Sequence, residues 1–160
     1  MRIGIISDTH IPKAALDLPE AIYNDFINVD LILHAGDLVE MNVLRKLQKL
    51  APVKAVYGNM DLKDVRNALP RKELIKIGKF KLGLVHGSGP PKGLIKVVKA
   101  EFTNGIDVII YGHSHSPFNE KIGKTLFFNP GSPTDTVFAP YNSYGILEVN
   151  DEIQARIIRI

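Results

Sequence analysis

The chain has 160 residues, of which 45% are hydrophobic and 23% charged, and it contains no cysteine. This length suits one domain, so we expect residues 1–160 to share a single core. No apolar run approaches the roughly 20 residues that a membrane span needs, and the absence of cysteine excludes disulfides and thiolate metal sites. Met1 leads directly into a predicted strand instead of a signal-peptide cleavage site, which favours a cytoplasmic protein.

The formal net charge is +3, with lysine and arginine spread along the chain instead of gathered in one run. This distribution argues against a nucleic-acid interface built on a basic patch. A modest positive field still favours a small anionic substrate. The sequence leaves open whether the protein forms a homo-oligomer.

The first part of the chain alternates strands and helices. Apolar residues Val43, Leu44 and Leu47 recur at helical spacing, and Pro52 ends that helix. Such alternation is typical of a parallel sheet covered by helices. The predicted elements are strand 2–7, helix 19–28, strand 30–35, helix 41–51 and strand 53–57.

The second part contains two predicted β-hairpins, one longer helix and two closing strands. Gly78-Lys79 and Gly123-Lys124 are expected to form the tight turns of the hairpins. We therefore expect two β-rich halves packed between helices. The predicted elements are a short helix or loop at 61–68, strands 72–77 and 80–85, helix 92–103, strand 107–111, strands 118–122 and 126–129, and strands 143–149 and 152–159.

Five predicted strands stop at side chains that are common metal ligands, several of them next to a glycine that lets the backbone approach closely. Open α/β sheets bind their ligands at the carboxyl ends of the strands. We therefore expect these side chains to meet at one end of one sheet. They are Asp8, His10, Asp37, Asn59, His86, His113 and His115.

Seven candidate ligands are too many for one ion and suit two ions that share a carboxylate. The mixture of imidazole, carboxylate and amide oxygen favours manganese, iron, zinc, nickel or cobalt over calcium or magnesium. Side chains two residues apart in an extended segment point to the same face, so Asp8-x-His10 and His113-x-His115 can each serve two neighbouring ions. His34 lies inside a predicted strand, and we expect a core histidine or a partner of a metal ligand.

Taken together, these motifs resemble the calcineurin-like metallophosphoesterase superfamily. The short chain and the segment Asn129-Pro130-Gly131-Ser132 resemble its small branch, which includes YfcE-like phosphodiesterases and the retromer subunit Vps29. The resemblance covers residue 1 to about residue 133, and it implies an α/β fold, a four-layer αββα sandwich. The motifs that carry it are, in chain order, Asp8-x-His10, Gly36-Asp37, Gly58-Asn59-x-Asp61, His86 and Gly112-His113-x-His115.

The resemblance also implies a dinuclear metal site that hydrolyses phosphate diesters. A hydroxide bridging two divalent ions would attack phosphorus, with manganese as the first expectation and nickel, cobalt, iron or zinc as alternatives. Asp37 would bridge the ions and, with Asn59 and Asp61, serve catalysis. The implied ligands are Asp8, His10, Asp37 and His115 for one ion, and Asp37, Asn59, His86 and His113 for the other.

The chain departs from many superfamily members at Met60. Those members have a histidine there that assists the leaving group, which a methionine side chain cannot do. We therefore expect a preference for activated or diester substrates. Asp61 is expected to orient a metal ligand or cap the turn, with an acid role as the alternative. The segment 129–132 is either a wall of the site, held through backbone contacts, or a plain turn.

Two functions are compatible with these residues. One is a metal-dependent phosphodiesterase that acts on a small diester, and the other is a Vps29-like interaction scaffold with a vestigial metal site. A scaffold can lose ligands, whereas all seven positions are filled here, which favours the enzyme. Selectivity among substrates is expected in the loops at 11–18, 88–93 and 116–120.

Overall fold

Over residues 1–103 and 105–160, which the computed structural model describes, the chain forms two five-stranded sheets that pack face to face. The strands are β1 (Arg2–Ile6), β2 (Leu31–His34), β3 (Val53–Ala55), β4 (Lys72–Ile77), β5 (Phe80–Val85), β6 (Val108–Ile110), β7 (Phe118–Ile122), β8 (Thr125–Asn129), β9 (Ser143–Val149) and β10 (Ile153–Arg159). The helices are α1 (Glu20–Phe26), α2 (Met41–Leu47), α3 (Lys63–Ala68) and α4 (Leu94–Ala100).

The first sheet has the strand order β10-β9-β1-β2-β3. Strands β1, β2 and β3 run parallel, whereas β9 pairs antiparallel with both β1 and β10. Ile5 in β1 lies opposite Leu33 in β2 on one side and Gly145 in β9 on the other. The carboxyl ends of the three parallel strands therefore meet at one edge of the sheet.

The second sheet has the strand order β4-β5-β6-β8-β7, with β5, β6 and β8 parallel. Its two outer strands are joined through hairpins, as predicted. Ile77 pairs with Phe80 across Gly78-Lys79, and Ile122 pairs with Thr125 across Gly123-Lys124. Gly78 has a φ of 56° and Gly123 a φ of 66°, a backbone conformation that glycine adopts without steric cost.

The expectation of a single sheet behind all candidate ligands was wrong. Strands β1, β2 and β3 belong to the first sheet, whereas β5 and β6 belong to the second. An apolar run identifies a buried strand, but it does not say which sheet the strand joins. Both sheets have buried inner faces here, so their strands carry the same hydrophobic pattern.

Three apolar clusters fill the spaces between the layers, and they confirm the expected αββα arrangement. Between the sheets, Ile5 and Leu33 pack with Leu84 and Ile110. On the outer face of the first sheet, residues of α1, α2 and α3 pack against β2 and β9. On the outer face of the second sheet, α4 packs against β5, β6 and β8.

The helices are shorter than predicted, which is the usual uncertainty of helix ends. The expected helix 41–51 ends at Leu47, and tighter turns follow it. There the N–H of Leu50 bonds to the carbonyl oxygen of Leu47 at 2.9 Å, just before Pro52. No helix in the part of the chain that the structure describes is long and apolar enough to cross a membrane.

Replacing Gly4 by alanine tests the packing of α1 on the first sheet. An added Cβ would lie 2.8 Å from Cε1 of the buried Phe26 ring, so Gly4→Ala should lower the free energy of unfolding by about 1–3 kcal/mol. In a Phe26→Leu background the same substitution should cost at least about 0.5 kcal/mol less. Urea unfolding of the four proteins measures this difference, and equal costs in both backgrounds would contradict the steric explanation.

Candidate metal centre

The seven candidate ligands converge where strands of the two sheets end. Asp8, Asp37 and His86 are buried at the floor of the site, and His10 and His115 are half-buried above them. The set therefore combines a buried floor with a partly exposed rim. Its members follow the strands in this order: Asp8 and His10 after β1, Asp37 after β2, Asn59 after β3, His86 after β5, and His113 and His115 after β6.

Asp8, His10 and His115 form the first group that could hold a cation. His115 Nε2 lies 3.4 Å from Asp8 Oδ1 and 3.1 Å from His10 Nε2. His10 Nε2 is 3.9 Å from Asp8 Oδ1 and 3.6 Å from Asp37 Oδ2. The structure thus brings together the four residues that the family resemblance implies for one ion.

Asp8, Asp37 and His86 form the second group. His86 Nε2 lies 3.3 Å from Asp37 Oδ2 and 3.9 Å from Asp8 Oδ1. Asn59 Oδ1 is 3.2 Å from His86 Nε2 and 3.0 Å from His113 Nδ1. The geometry thus brings the second predicted set together, and it places Asp8 as well as Asp37 between the two groups.

Three of the imidazoles are held by an acceptor on the nitrogen that points away from the cluster. His86 Nδ1 lies 2.8 Å from the carbonyl oxygen of Ala35, and His113 Nε2 lies 2.8 Å from that of Gly89. His115 Nδ1 lies 2.5 Å from Asp135 Oδ2. Because a carbonyl or carboxylate oxygen only accepts, the outer nitrogen carries the proton and the inner nitrogen can bind a metal ion.

The backbone of the ligand pairs differs from the extended conformation that we expected. Asp8 and His10 have φ values of 54° and 45°, and His113 and His115 have values of 71° and 55°. An extended segment would separate such residues by roughly 7 Å along the strand, whereas these turns keep both side chains at the cluster. Asp37 has a φ of 58° as well. Backbone conformations this rare in non-glycine residues concentrate at functional sites.

Two glycines make room for the carboxylates, as the sequence suggested. A Cβ at Gly58 would lie 2.2 Å from Asp37 Oδ1, and a Cβ at Gly112 would lie 2.6 Å from Asp8 Oδ2. Any larger residue at either position would collide with a candidate ligand. The glycines beside Asn59 and His113 therefore have a steric reason.

Positive charge gathers around the two buried carboxylates. Burial would raise the pKa of Asp8, but its hydrogen bond with His115 and the charges of His86 and His115 hold it at about 2. Burial would lower the pKa of His86, but Asp37 and Asp8 raise it to about 9. Burial likewise opposes the rise of the His115 pKa to about 9, which Asp8 and Asp135 cause. A divalent cation bound here would supply the same compensation.

His34 is fully buried beneath the ligand loops, which confirms the expectation of a core histidine. Its Nδ1 accepts the N–H of Gly36 at 3.1 Å, so the proton lies on Nε2, 3.3 Å from Thr9 Oγ1. Burial lowers the pKa of His34 to about 3. This neutral ring supports the loop between β2 and Asp37.

The carboxylate of Asp61 accepts hydrogen bonds from backbone N–H groups and does not face the space between the candidate ligands. Its Oδ2 accepts the N–H groups of Gly58 at 2.7 Å and Asp37 at 3.1 Å, and its Oδ1 accepts that of Val39 at 2.6 Å. Arg66, which sequence reasoning missed, donates from Nε to the carbonyl oxygen of Asp61 at 2.8 Å. The carboxylate thus ties the two ligand loops that follow β2 and β3.

The segment after β8 contacts the loops that carry the ligands, as the wall interpretation expected. Asn129 Nδ2 donates to the carbonyl oxygen of Gly112 at 2.9 Å, and Ser132 Oγ donates to that of Asp8 at 2.7 Å. Sequence reasoning missed Asp135, three residues further on. The only sequence feature that pointed to Asp135 was its position shortly after the Asn129–Ser132 motif. Its partner His115 is 20 residues away, so no local spacing links the two.

A cleft of about 620 Å³ opens over the cluster. Candidate ligands form its floor, and Met60, Pro91 and Phe138 are apolar residues in its lining. Met60 is 42% exposed there, and its backbone N–H donates to Asp37 Oδ1 at 2.7 Å. A ligand that binds to the floor would therefore meet apolar groups at the rim.

Comparison with known proteins identifies the class to which this fold and site belong. The family profile of the calcineurin-like phosphoesterase superfamily domain matches residues 1–152. A probable metallophosphoesterase of Methanocaldococcus jannaschii is 43% identical over 162 residues, which cover 100% of this chain and 82% of that protein. The chain therefore belongs to the calcineurin-like phosphoesterase superfamily.

Two further relatives extend the comparison. A phosphodiesterase of Methanocaldococcus jannaschii is 33% identical over 144 residues, 82% of this chain and 83% of that protein. The crystal structure of Vps29 from Entamoeba histolytica complexed with Zn²⁺ superimposes with a TM-score of 0.76 at 27% identity, and the match covers 99% of each chain. The family binds divalent metal ions, which agrees with the two candidate groups found here.

Replacing Asp135 by asparagine tests whether this carboxylate orients His115. Loss of such a partner of a metal-binding histidine typically costs 10- to 100-fold in metal affinity. We expect titration calorimetry of metal-stripped protein with Mn²⁺ to show a loss of about that size in Asp135→Asn. The loss should be confined to one of two binding steps, because Asp135 contacts His115 and not His86 or His113.

Asp107→Asn is the matched control, since Asp107 Oδ2 also accepts a backbone N–H, that of Lys81 at 2.8 Å, away from the cluster. It should leave both binding steps unchanged. Equal weakening of both steps in Asp135→Asn would indicate a general structural defect, and unchanged affinity in a folded variant would rule out the orienting role.

Proposed function

We propose that this protein is a metal-dependent phosphodiesterase that holds two divalent cations where strands of its two sheets end. The observation that carries the proposal is the arrangement of His86, His113 and His115. Each imidazole is held from outside, and each turns its inner nitrogen toward two carboxylates or the Asn59 amide. A structural histidine cluster does not require three rings whose inner nitrogens face the same carboxylates and amide, whereas a metal site does.

The proposed ligands follow the two groups. Asp8, His10, Asp37 and His115 would hold one cation, and Asp37, Asn59, His86 and His113 the other. The mixed donors favour manganese, iron, zinc, nickel or cobalt over calcium or magnesium, and we propose Mn²⁺ as the first of these. When bound, two such cations neutralise a phosphate, lower the pKa of bound water and stabilise the charge of an in-line displacement. The Zn²⁺ complex of the Entamoeba Vps29 supports metal binding on this fold.

The chain's own residues would position the ions and admit the substrate. Asp8 and Asp37 supply buried negative charge, and Ala35, Gly89 and Asp135 fix the three rings. Both oxygens of Asp61 are occupied by backbone N–H groups. We therefore propose that Asp61 positions the ligand loops, and we set aside the alternative of an acid role.

The substrate we propose is a small phosphate diester with a good leaving group. The resemblance to the superfamily implies that a histidine often stands at the position of Met60 and assists the leaving group. Met60 lines the cleft here, and its thioether has no proton to give. A phosphodiesterase among the relatives supports the diester. The cleft volume of about 620 Å³ suits a small molecule.

A Vps29-like interaction scaffold is the second candidate, and the similarity to the Vps29 structure favours it. The completeness of the ligand set argues for the enzyme, because a scaffold can lose ligands without losing its function. The positive φ angles of the ligand loops argue in the same direction, because a scaffold does not require them. The two candidates differ in one measurable property, which is turnover by the metal-loaded protein.

Hydrolysis of bis(p-nitrophenyl) phosphate tests the proposal. We expect metal-stripped protein to be inactive, to bind two Mn²⁺ per chain by calorimetry and then to release p-nitrophenolate. Asp37→Asn should lower turnover by at least about 100-fold, since changes even beyond the direct ligands cost 10- to 100-fold. Asp151→Asn, an exposed carboxylate in the turn between β9 and β10, should change neither property.

Two outcomes would contradict the proposal in different ways. Binding of two ions without turnover for any of Mn²⁺, Ni²⁺, Co²⁺, Zn²⁺ and Fe²⁺ would favour the scaffold. Failure of folded protein to bind metal would remove the dinuclear site itself.

A further inference from the structure

Phe138 is an exposed aromatic residue whose backbone is held by hydrogen bonds. Its side chain is 75% exposed, yet the segment that carries it is tied down by one carboxylate. Asp135 Oδ1 accepts the N–H of Val137 at 2.8 Å, and Oδ2 accepts those of Phe138 at 3.0 Å and Ala139 at 2.9 Å. An exposed phenylalanine alone is unremarkable, but one whose backbone is fixed beside a metal centre needs an explanation.

The position of the ring relates it to the candidate metal centre. The centroid of the Phe138 ring lies 6.1 Å from that of the His115 ring, and the two planes meet at 75°. The two rings therefore form an edge-to-face contact. Phe138 lines the cleft above the candidate ligands, and Met60 and Pro91 line the same cleft. The neighbouring Val137, equally exposed at 75%, does not line it.

We propose that Phe138 is a specificity-determining residue that stacks on an aromatic ring of the substrate. The preferred substrate would then be a phosphate diester in which one alcohol carries a flat ring, either a simple aryl group or a nucleobase. This inference rests on the proposed function, because the phosphate must bind at the metal centre for its substituent to reach the rim. The ring offers a flat apolar face to any planar group, which is why the chemistry of the ring is less important than its shape.

The side chain of Phe138 can be changed without changing the residues that hold the metal ions. The bonds to Asp135 come from backbone N–H groups, so a different side chain at position 138 keeps them. Substitution of Phe138 should therefore leave metal binding intact and change only the affinity for ring-bearing ligands.

Binding of three phosphonates to the Mn²⁺-loaded protein tests the inference. Phenylphosphonate carries a flat ring, cyclohexylphosphonate an apolar ring of similar size that is not flat, and methylphosphonate the anion with almost no substituent. Calorimetry should show phenylphosphonate binding about tenfold more tightly than methylphosphonate, with cyclohexylphosphonate between them. Phe138→Ala should remove most of the phenyl advantage and leave methylphosphonate affinity unchanged. Val137→Ala is the matched control and should alter none of the three.

The outcomes distinguish this inference from the proposed function. If the metal-loaded protein binds no phosphonate at all, the proposed function fails. If it binds methylphosphonate but prefers phenylphosphonate no more than twofold, or if Phe138→Ala weakens all three ligands equally, stacking on Phe138 is refuted while the metal centre stands. An advantage of cyclohexyl equal to that of phenyl would replace stacking by simple burial and overturn the aromatic assignment.

A second comparison distinguishes a nucleobase from a simple aryl group as the ring of the substrate. Thymidine 5′-phosphate and deoxyribose 5-phosphate are tested as inhibitors of bis(p-nitrophenyl) phosphate hydrolysis. A gain from the base that is lost in Phe138→Ala would assign the site to nucleotide diesters. A gain for phenylphosphonate without one for the base would assign it to aryl diesters.

Discussion

The site depends on two carboxylates, Asp8 and Asp37, that are buried with their oxygens directed into the same space. Removing such charges from water is unfavourable unless positive charge compensates them. Within the protein, His86 and His115 provide it, and their pKa values rise to about 9 for that reason. An imidazolium ring is a weak substitute for a divalent cation, because it brings one charge and one direction of bonding. The same carboxylates would therefore favour metal ions over protons, and the need for compensation explains why the imidazoles gather around them.

The carboxylates and imidazoles come together only because several ligand residues adopt strained backbone conformations. Hydrogen bonds from neighbouring loops hold these conformations. Asp8 has a positive φ, a conformation that is unfavourable for a residue with a Cβ. Its carbonyl oxygen accepts the hydroxyl of Ser132, and the hydroxyl of Thr134 bonds to the next carbonyl, that of Thr9. Asp61 likewise holds the backbone at Asp37, because its carboxylate accepts the N–H of Asp37. Hydrogen bonds from one loop thus hold the strained conformation of another, which a metal centre needs if it is to be ordered before the ions bind.

Much of this arrangement could be predicted from the sequence because its signals are local. A short apolar run that stops at a candidate ligand marks the ends of β1, β2, β3, β5 and β6, so these strands were expected and the candidate ligands do converge. The other strands and helices of the described residues were expected too, except that residues 61–68 were left open between a short helix and a loop. Two features were not local. The division of the strands between two sheets depends on pairing far along the chain, as with Ile5 and Gly145. The contact of Asp135 with His115 joins residues 20 positions apart, and no spacing rule predicts it.

Asp135 shows how one residue can connect metal binding with substrate choice while keeping them separable. One of its oxygens contacts the His115 ring, and both accept backbone N–H groups from the segment with Phe138. Because these bonds use the backbone, the shape of the segment does not depend on which side chain position 138 carries. A substitution there can change the rim of the cleft without disturbing the ligand below it. The carboxylate itself cannot change so freely, since its loss would release both the imidazole and the segment. The structure therefore combines a constrained support at Asp135 with a side chain at Phe138 that can be replaced separately, so the affinity for a substrate ring can change while the metal ligands stay as they are.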